Sequence, residues 1–483
     1  MKIRKRRNVK MENNFRVKKG AKITALVLSA VIAISMLGAC KKQAPDKDEQ
    51  GRTVISVGAW PPKGHKDLEP MNKRKAEFEQ ANPDVVVNGD EWSFDLRSFY
   101  AKAAGGSIPT LYNTNYTEVS QIIEAGYSAD LTNVLKKRGY DGMFNKDVLS
   151  VISKDNKIYA FPMGAYILGL AYNTELFEKA GLMESDGTPK QPKDWDEVRE
   201  FAVKIKEATG KPGIVFPTST NHGGWLFTPV AWSYGVEFMK KDENGKWKAT
   251  FNSPECAAAL QYIKDLKWKY DVLPQNTLIN GDEFSKIFAS GNAGMEIAAG
   301  DIPRKVVSYG MTPDQLGIMA MPRGPKQHVT LMGGSVWNVK GGSTEDQIDA
   351  AIRWIELTTN YKATDNFITN KRNSLKNDVE AGKLVGIKSM SVWSQNAESV
   401  KAENSLIDEY ANSNINHVKL YNDFVADCPA KIQPEEPVCA QELYATLDNC
   451  IQEVLVNKDA DCAAVLEKAN ADFQVNYLDN VDY

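Results

Sequence analysis

One run of residues constrains the chain more than any other. Phe161-Pro162-Met163-Gly164-Ala165-Tyr166-Ile167-Leu168-Gly169-Leu170-Ala171-Tyr172 opens with a Pro and a Gly and is then almost wholly apolar. An apolar run of this length, bounded by a breaker, reads as a strand buried on both faces. Asn173-Thr174 offers a helix N-cap, with Leu176, Phe177 and Ala180 facing inward and Gly181 as the stop. Asp194, after Pro192, is placed to cap a second helix and to put Asp196 and Glu197 in its first turn. A strand buried on both faces needs layers above and below it, which implies an α/β protein.

The rest of the chain supplies such layers. Thr53–Val57 reads as a strand ending near Gly58 and Trp60, residues 71–81 as a helix closed by Asn82-Pro83, and Val85-Val86-Val87 as the next strand. That is a βαβ unit with parallel pairing. A third strand is expected over 107–112, with helices after it from Glu118 and Asp130. Beyond the central run come a helix over 198–208, a strand over 214–217 and a polar loop Thr220-Asn221-His222-Gly223-Gly224-Trp225 leading into an apolar helix. A hairpin turning at Asp242-Glu243-Asn244-Gly245 and a helix from Pro254 to about Tyr270 follow.

The N-terminus reads as an export signal. Residues 1–22 hold ten Lys/Arg against one Glu, and Ile23–Leu37 is an apolar run too short to span a membrane comfortably. It ends in Leu37-Gly38-Ala39-Cys40, which resembles the bacterial lipobox. That resemblance implies cleavage before Cys40 and a diacylglyceryl anchor on its thiol, with 40–52 as a flexible tether. Removing residues 1–39 leaves about 444 residues and shifts the formal charge from −3 to about −12. So acidic a chain is a poor partner for nucleic acid, and its length calls for two lobes. Cys256, Cys428, Cys439, Cys450 and Cys462 remain, an odd number. A Cys428–Cys439 bridge would staple a proline-rich loop, whereas helical cysteines serve equally as small core residues. No CxxC or His partner pattern accompanies them to suggest a metal, and no cofactor motif is present.

The Tyr172-Asn173 strand end, the helix closing on Ala180-Gly181, and Pro192-Lys193-Asp194-Trp195-Asp196-Glu197 together resemble one family. So do Phe78-Glu79-Gln80-Ala81-Asn82-Pro83-Asp84-Val85 and Gly291-Asn292-Ala293-Gly294-Met295. It is the maltose-binding-protein-like group of extracellular solute-binding proteins that serve carbohydrate ABC importers. The resemblance covers about residues 53–475 and is weakest over 375–435. It implies a two-lobe periplasmic-binding-protein-like α/β fold, with mainly parallel sheets covered by helices and hinge crossovers near 162–168, 314–320 and 370–376. On that basis lobe 1 comprises 53–164 and 317–372, and lobe 2 comprises 165–316 and a helical 373–483.

A neutral sugar needs flat aromatic faces for its C–H patches and polar forks for its hydroxyls. Strand ends and loops offer Trp60, Asp90, Trp92, Tyr116, Tyr166, Trp225, Asp301, Arg304, Gly334 and Trp337. Trp225 leads this set because Asn-His-Gly-Gly precedes it and thins its cover, while Trp195 and Trp232 are assigned to packing. Where relatives carry an aromatic two places after Gly300, this chain has Ile302, so Asp301 and Arg304 would act by hydrogen bonds or simply pair with each other. Glu91 and Glu118 read as solvated. Enzyme signatures such as GxSxG, HExxH and GxxxxGK[ST] are absent. The expected ligand is an oligosaccharide and the expected partner an ABC permease, with the chain a monomer held to the membrane by lipid alone. A secreted glycosidase, or a binder of a polyamine or iron chelate, are the alternatives.

Overall fold

The computed structural model describes residues 46–481, so the leader and Cys40 lie outside the described residues. The βαβ start forms as expected: β1 (Thr53–Val57), helix α1 (Leu68–Ala81) and β2 (Val85–Gly89), with β1 and β2 parallel from Thr53–Val85 to Val57–Gly89. The third strand, β3, lies at Leu111–Asn115 rather than 107–112, because Pro109 cannot donate to a ladder. Helix α2 (Tyr116–Glu124) follows it directly. Glu118, expected at the surface, is instead buried in that helix. Its amphipathic face turns inward with Tyr116, Val119, Ile122 and Ile123 and carries the carboxyl with it.

The central run forms one 14-residue strand, β4 (Ala160–Asn173). Its first half pairs with β7 (Val329–Val339), and its second half pairs with β5 (Met295–Ala299) and β6 (Leu316–Met319). The eight-stranded sheet runs β6-β4-β7-β3-β1-β2, with β5 added to β4 and β8 (Lys431–Pro434) added to β7. Parallel pairing is confined to β1–β2, β1–β3 and β7–β8. The register slips opposite Met163: Ser335 faces Gly164 while Val336 faces Pro162. Pro162 has no N–H to give, so the ladder bulges there. Met163 is left 37% exposed in a strand otherwise largely buried.

Local signals account for the helix starts. Asn173 Oδ1 accepts the Leu176 N–H at 3.1 Å and Asp194 Oδ1 accepts the Glu197 N–H at 2.9 Å. Residues 214–217 are buried but form no strand. Val215 still donates to the Met295 carbonyl at 3.0 Å; Pro212, Gly213 and Pro217 bracket the segment too tightly for a regular ladder. The expected hairpin forms, pairing 239–241 with 247–249.

Helix α3 (His222–Ser233) is apolar on nearly every side and lies in the interior against α4 (Ala440–Val456). Gly223 and Gly224 permit this approach, since a Cβ on Gly224 would stand 2.1 Å from the Tyr444 carbonyl oxygen. The glycine pair therefore serves helix packing rather than thinning the cover over Trp225. The five cysteines at 256, 428, 439, 450 and 462 are all free thiols, so the Cys428–Cys439 staple is not formed. Among the described residues no helix is long and apolar enough to cross a membrane.

Candidate functional site

Two adjoining cavities open where β4 and β7 pass the starts of α2 and α3. The larger, about 610 Å³, is walled by Gly164, Ala165 and Tyr166 of β4 and by Gly334 and Ser335 of β7. Asn115 and Thr117 close one side; Asn221, Trp225, Glu435, Gln441 and Tyr444 close the other. The smaller, about 350 Å³, shares Tyr166, His222, Trp225, Asp301 and Lys305 with it.

Tyr166 and Trp225 meet edge to face, with ring centroids 6.4 Å apart at 81°. Trp225 sits in the first turn of α3, not on a flexible loop. Two devices aim it. Asp448 of α4 accepts the Asn221 and Gly224 N–H groups at 2.7 Å each, supplying the cap that Asn221 does not make for itself. Pro229, four residues on, cannot donate to the Trp225 carbonyl, which takes the Thr228 hydroxyl at 2.8 Å instead.

Glu435 lines the larger cavity together with Asp301, Arg304 and Lys305. Thr117 donates its hydroxyl to Glu435 Oε2, and the Tyr444 hydroxyl donates to Oε1 at 3.2 Å. Burial raises this carboxyl, while hydrogen bonds from Thr117, Tyr444 and Trp225 pull it back. Glu118 nearby is pushed up to about 7, first by burial and then by the charge of Glu435. The neighbouring Glu436 accepts the Trp232 indole N–H at 2.9 Å and is also raised to about 7 by burial.

The structure thus brings Tyr166, Trp225, Asp301, Arg304 and Gly334 to one cleft. Tyr116 lies beneath it: a Cβ on Gly334 would stand 2.7 Å from the Tyr116 ring, and its buried hydroxyl has no partner among the described residues. The other aromatics lie elsewhere. Trp60 is buried 6.0 Å from Trp354, and Trp92 packs against Phe99 and Tyr112. Asp90 Oδ1 accepts the Trp92 N–H at 2.9 Å, and Trp337 pairs with Phe161 and Asn113 within the sheet. Asp301 pairs with Lys305 at 3.8 Å rather than with Arg304, whose guanidinium makes no ion pair among the described residues. Asn115 and Thr117, in the stretch after the third strand that the sequence offered beside Tyr116, also line the cleft, whereas Glu435, Gln441 and Tyr444 escaped the sequence reading; the one available signal was the acidic pair set between Pro434 and Pro437.

Residues 63–365 match the sequence profile of the bacterial extracellular solute-binding proteins. The chain belongs to that family. Among curated relatives, this solute-binding protein is 25% identical over 255 residues to a Brucella abortus binding protein, covering 52% of this chain and 59% of that one. It is 27% identical over 312 residues to the sn-glycerol-3-phosphate-binding periplasmic protein UgpB of Brucella abortus, covering 61% and 62%. The matches therefore span about three-fifths of those relatives. Among solved structures it superposes on maltose-bound MalE3 of T. maritima with a TM-score of 0.61 at 21% identity, covering 88% of this chain and 99% of that one. The architecture of this solute-binding protein is accordingly the two-lobe periplasmic-binding-protein fold.

Proposed function

We propose that the chain captures an oligosaccharide in the cleft and delivers it to the membrane subunits of an ABC importer. The observation that carries this reading is the Tyr166–Trp225 pair, two ring faces set at 81° beside Asn115, Asn221, Gln441 and Glu435. Rings of this kind take the C–H faces of a sugar, and amide and carboxyl forks take its hydroxyls. Family membership and the maltose-bound neighbour support the same reading.

The lobe division expected from the sequence is part of the proposal. Pairing of Leu316–Met319 with Leu170–Asn173 supports a change of lobe after Met319 rather than at Gly317. The Thr117–Glu435 hydrogen bond then joins one lobe to the other and would form only on closure. Closure is the state a permease would read, and ligand favours it because both lobes touch it only there. Cys40 would carry the lipid that holds a monomeric protein at the extracellular face of the cell membrane, and no catalysis is assigned to the protein.

Exposed Arg304 beside Lys305 favours a second reading, a glycerophosphate-type ligand, in line with the name of one relative. Calorimetric titration of the purified chain with malto-, cello- and chito-oligosaccharides and with glycerol 3-phosphate separates the two. Saturable binding of a di- or trisaccharide, without release of new reducing ends, is expected. Binding of glycerol 3-phosphate alone would overturn the sugar reading, and reducing ends accumulating with time would favour a glycosidase.

A further inference from the structure

Glu296 has a place in the fold that sheet packing does not explain. It stands on β5 opposite Ala171 of β4, with 2% of its surface exposed. Its Oε2 finds no hydrogen-bond partner among the described residues. Glu296 lines the smaller cavity, about 350 Å³, which adjoins the cleft through Tyr166 and Trp225.

The charge of that recess is lopsided. Its titratable walls are Glu296, Asp282, Asp301, Lys305, His222, Tyr309 and Tyr166. Asp301 and Lys305 stand 3.8 Å apart and largely cancel, which leaves Asp282 and Glu296 unmatched. A ligand hydroxyl would be served by Ser285 or Ser308, both in the wall, with no need to bury a titratable carboxyl. An unpaired carboxyl in such a position is costly unless a cation meets it. The aromatic pair at the mouth adds ring faces that attract cations as well as sugar rings.

We propose that this recess receives a primary ammonium group of the ligand, with Glu296 as its carboxylate partner, so that the solute is an amino sugar. The inference rests on the sugar reading of the cleft. Burial pushes the empty Glu296 carboxyl well above its ordinary range, against a smaller opposing effect of Lys305. An arriving ammonium favours the ionised form, so one proton leaves Glu296 as the amine enters. Affinity for the amine therefore rises with pH until the ligand's own amine loses its proton.

The test pairs ligands with and without a primary amine: glucosamine dimer against cellobiose, and glycerophosphoethanolamine against glycerol 3-phosphate. Each is titrated calorimetrically into the full chain in detergent, in two buffers of different ionisation enthalpy. Glucosamine dimer is expected to bind at least about tenfold tighter than cellobiose and to release about one proton. Glu296→Gln should remove both the preference and the proton release and leave the melting temperature unlowered. Cellobiose binding as tightly as the amine, or an amine preference that survives Glu296→Gln, overturns the inference and leaves the sugar reading standing. A preference confined to glycerophosphoethanolamine keeps the ammonium recess and overturns the sugar reading. Failure of all four to bind overturns both.

Discussion

Asp448 accepts the backbone N–H of Gly224 at 2.7 Å, so the helix that carries Trp225 is capped by a side chain from a helix more than two hundred residues later. The same carboxylate takes the Asn221 N–H at 2.7 Å. Asp448→Ala would leave two N–H groups without a partner at a largely buried helix start, at a cost of roughly 1–3 kcal/mol. Gly224→Ala would drive a methyl into the Tyr444 carbonyl and cost a similar amount or more, about 1–3 kcal/mol. Denaturant unfolding of both variants checks this. Both should also weaken ligand binding, because α3 aims Trp225.

Trp225 itself is half-buried, so its removal touches folding as well as binding. Trp225→Ala should weaken oligosaccharide binding at least about tenfold, or about 1.4 kcal/mol. It should lower the stability of the unliganded protein by roughly 1–2 kcal/mol, less than a fully buried Trp would cost. Trp225→Phe keeps a ring but gives up the N–H that helps hold the Glu435 charge, and is expected to recover most of the stability and part of the affinity. Calorimetry and melting of the unliganded variants separate the two effects.

Two buried carboxyls make stability fall as pH rises. Glu118 and Glu436 are each raised to about 7 from an ordinary 4.5, so between those values the folded chain holds protons that the unfolded chain has released. Their contribution is complete below about pH 4.5 and is lost as pH climbs through about 7. Glu118→Gln should remove part of this slope and raise stability at pH 8 relative to the parent by on the order of 1–2 kcal/mol. An unchanged slope between pH 5 and pH 8 would show that Glu118 ionises as freely folded as unfolded.

The proposed lipid anchor has its own check. Cys40→Ser should leave the body folded but shed it into the medium or leave it unprocessed. Membrane attachment and gel mobility identical to the parent would exclude Cys40 as the anchor.

How far the sequence revealed all this depended on the range of the interactions. β4 was legible because its signal is local: a Pro-Gly opening, an apolar run and an Asn cap within fourteen residues. The fates of Trp60 and Trp225 were not, since nothing near either distinguishes them. Trp60 is buried by Trp354, almost three hundred residues away, while Trp225 lines a cavity together with Gln441 and Tyr444 of α4. Glu435, Gln441 and Tyr444 come from the stretch around the poorly matched 375–435 region, where sequence pattern offered least. Glu118 failed differently: its helix face was readable, but not the distant Glu435 and Glu442 whose charges it meets.

β4 and β7 stay paired from Ile167–Met332 to Ala160–Asn338, broken only by the slip at Met163. Were the two sides of the cleft joined by loops, they could swing about one or two torsions. Joined by a paired ribbon, as the proposed lobe division implies, they would part only by twisting it, with the strain shared among many residues. Amide exchange along 160–173 should then stay slow whether ligand is present or absent, and no single hinge glycine should govern opening. On the proposed function, a cleft hung on such a ribbon would open through a limited arc and recoil, as repeated release of a captured solute requires.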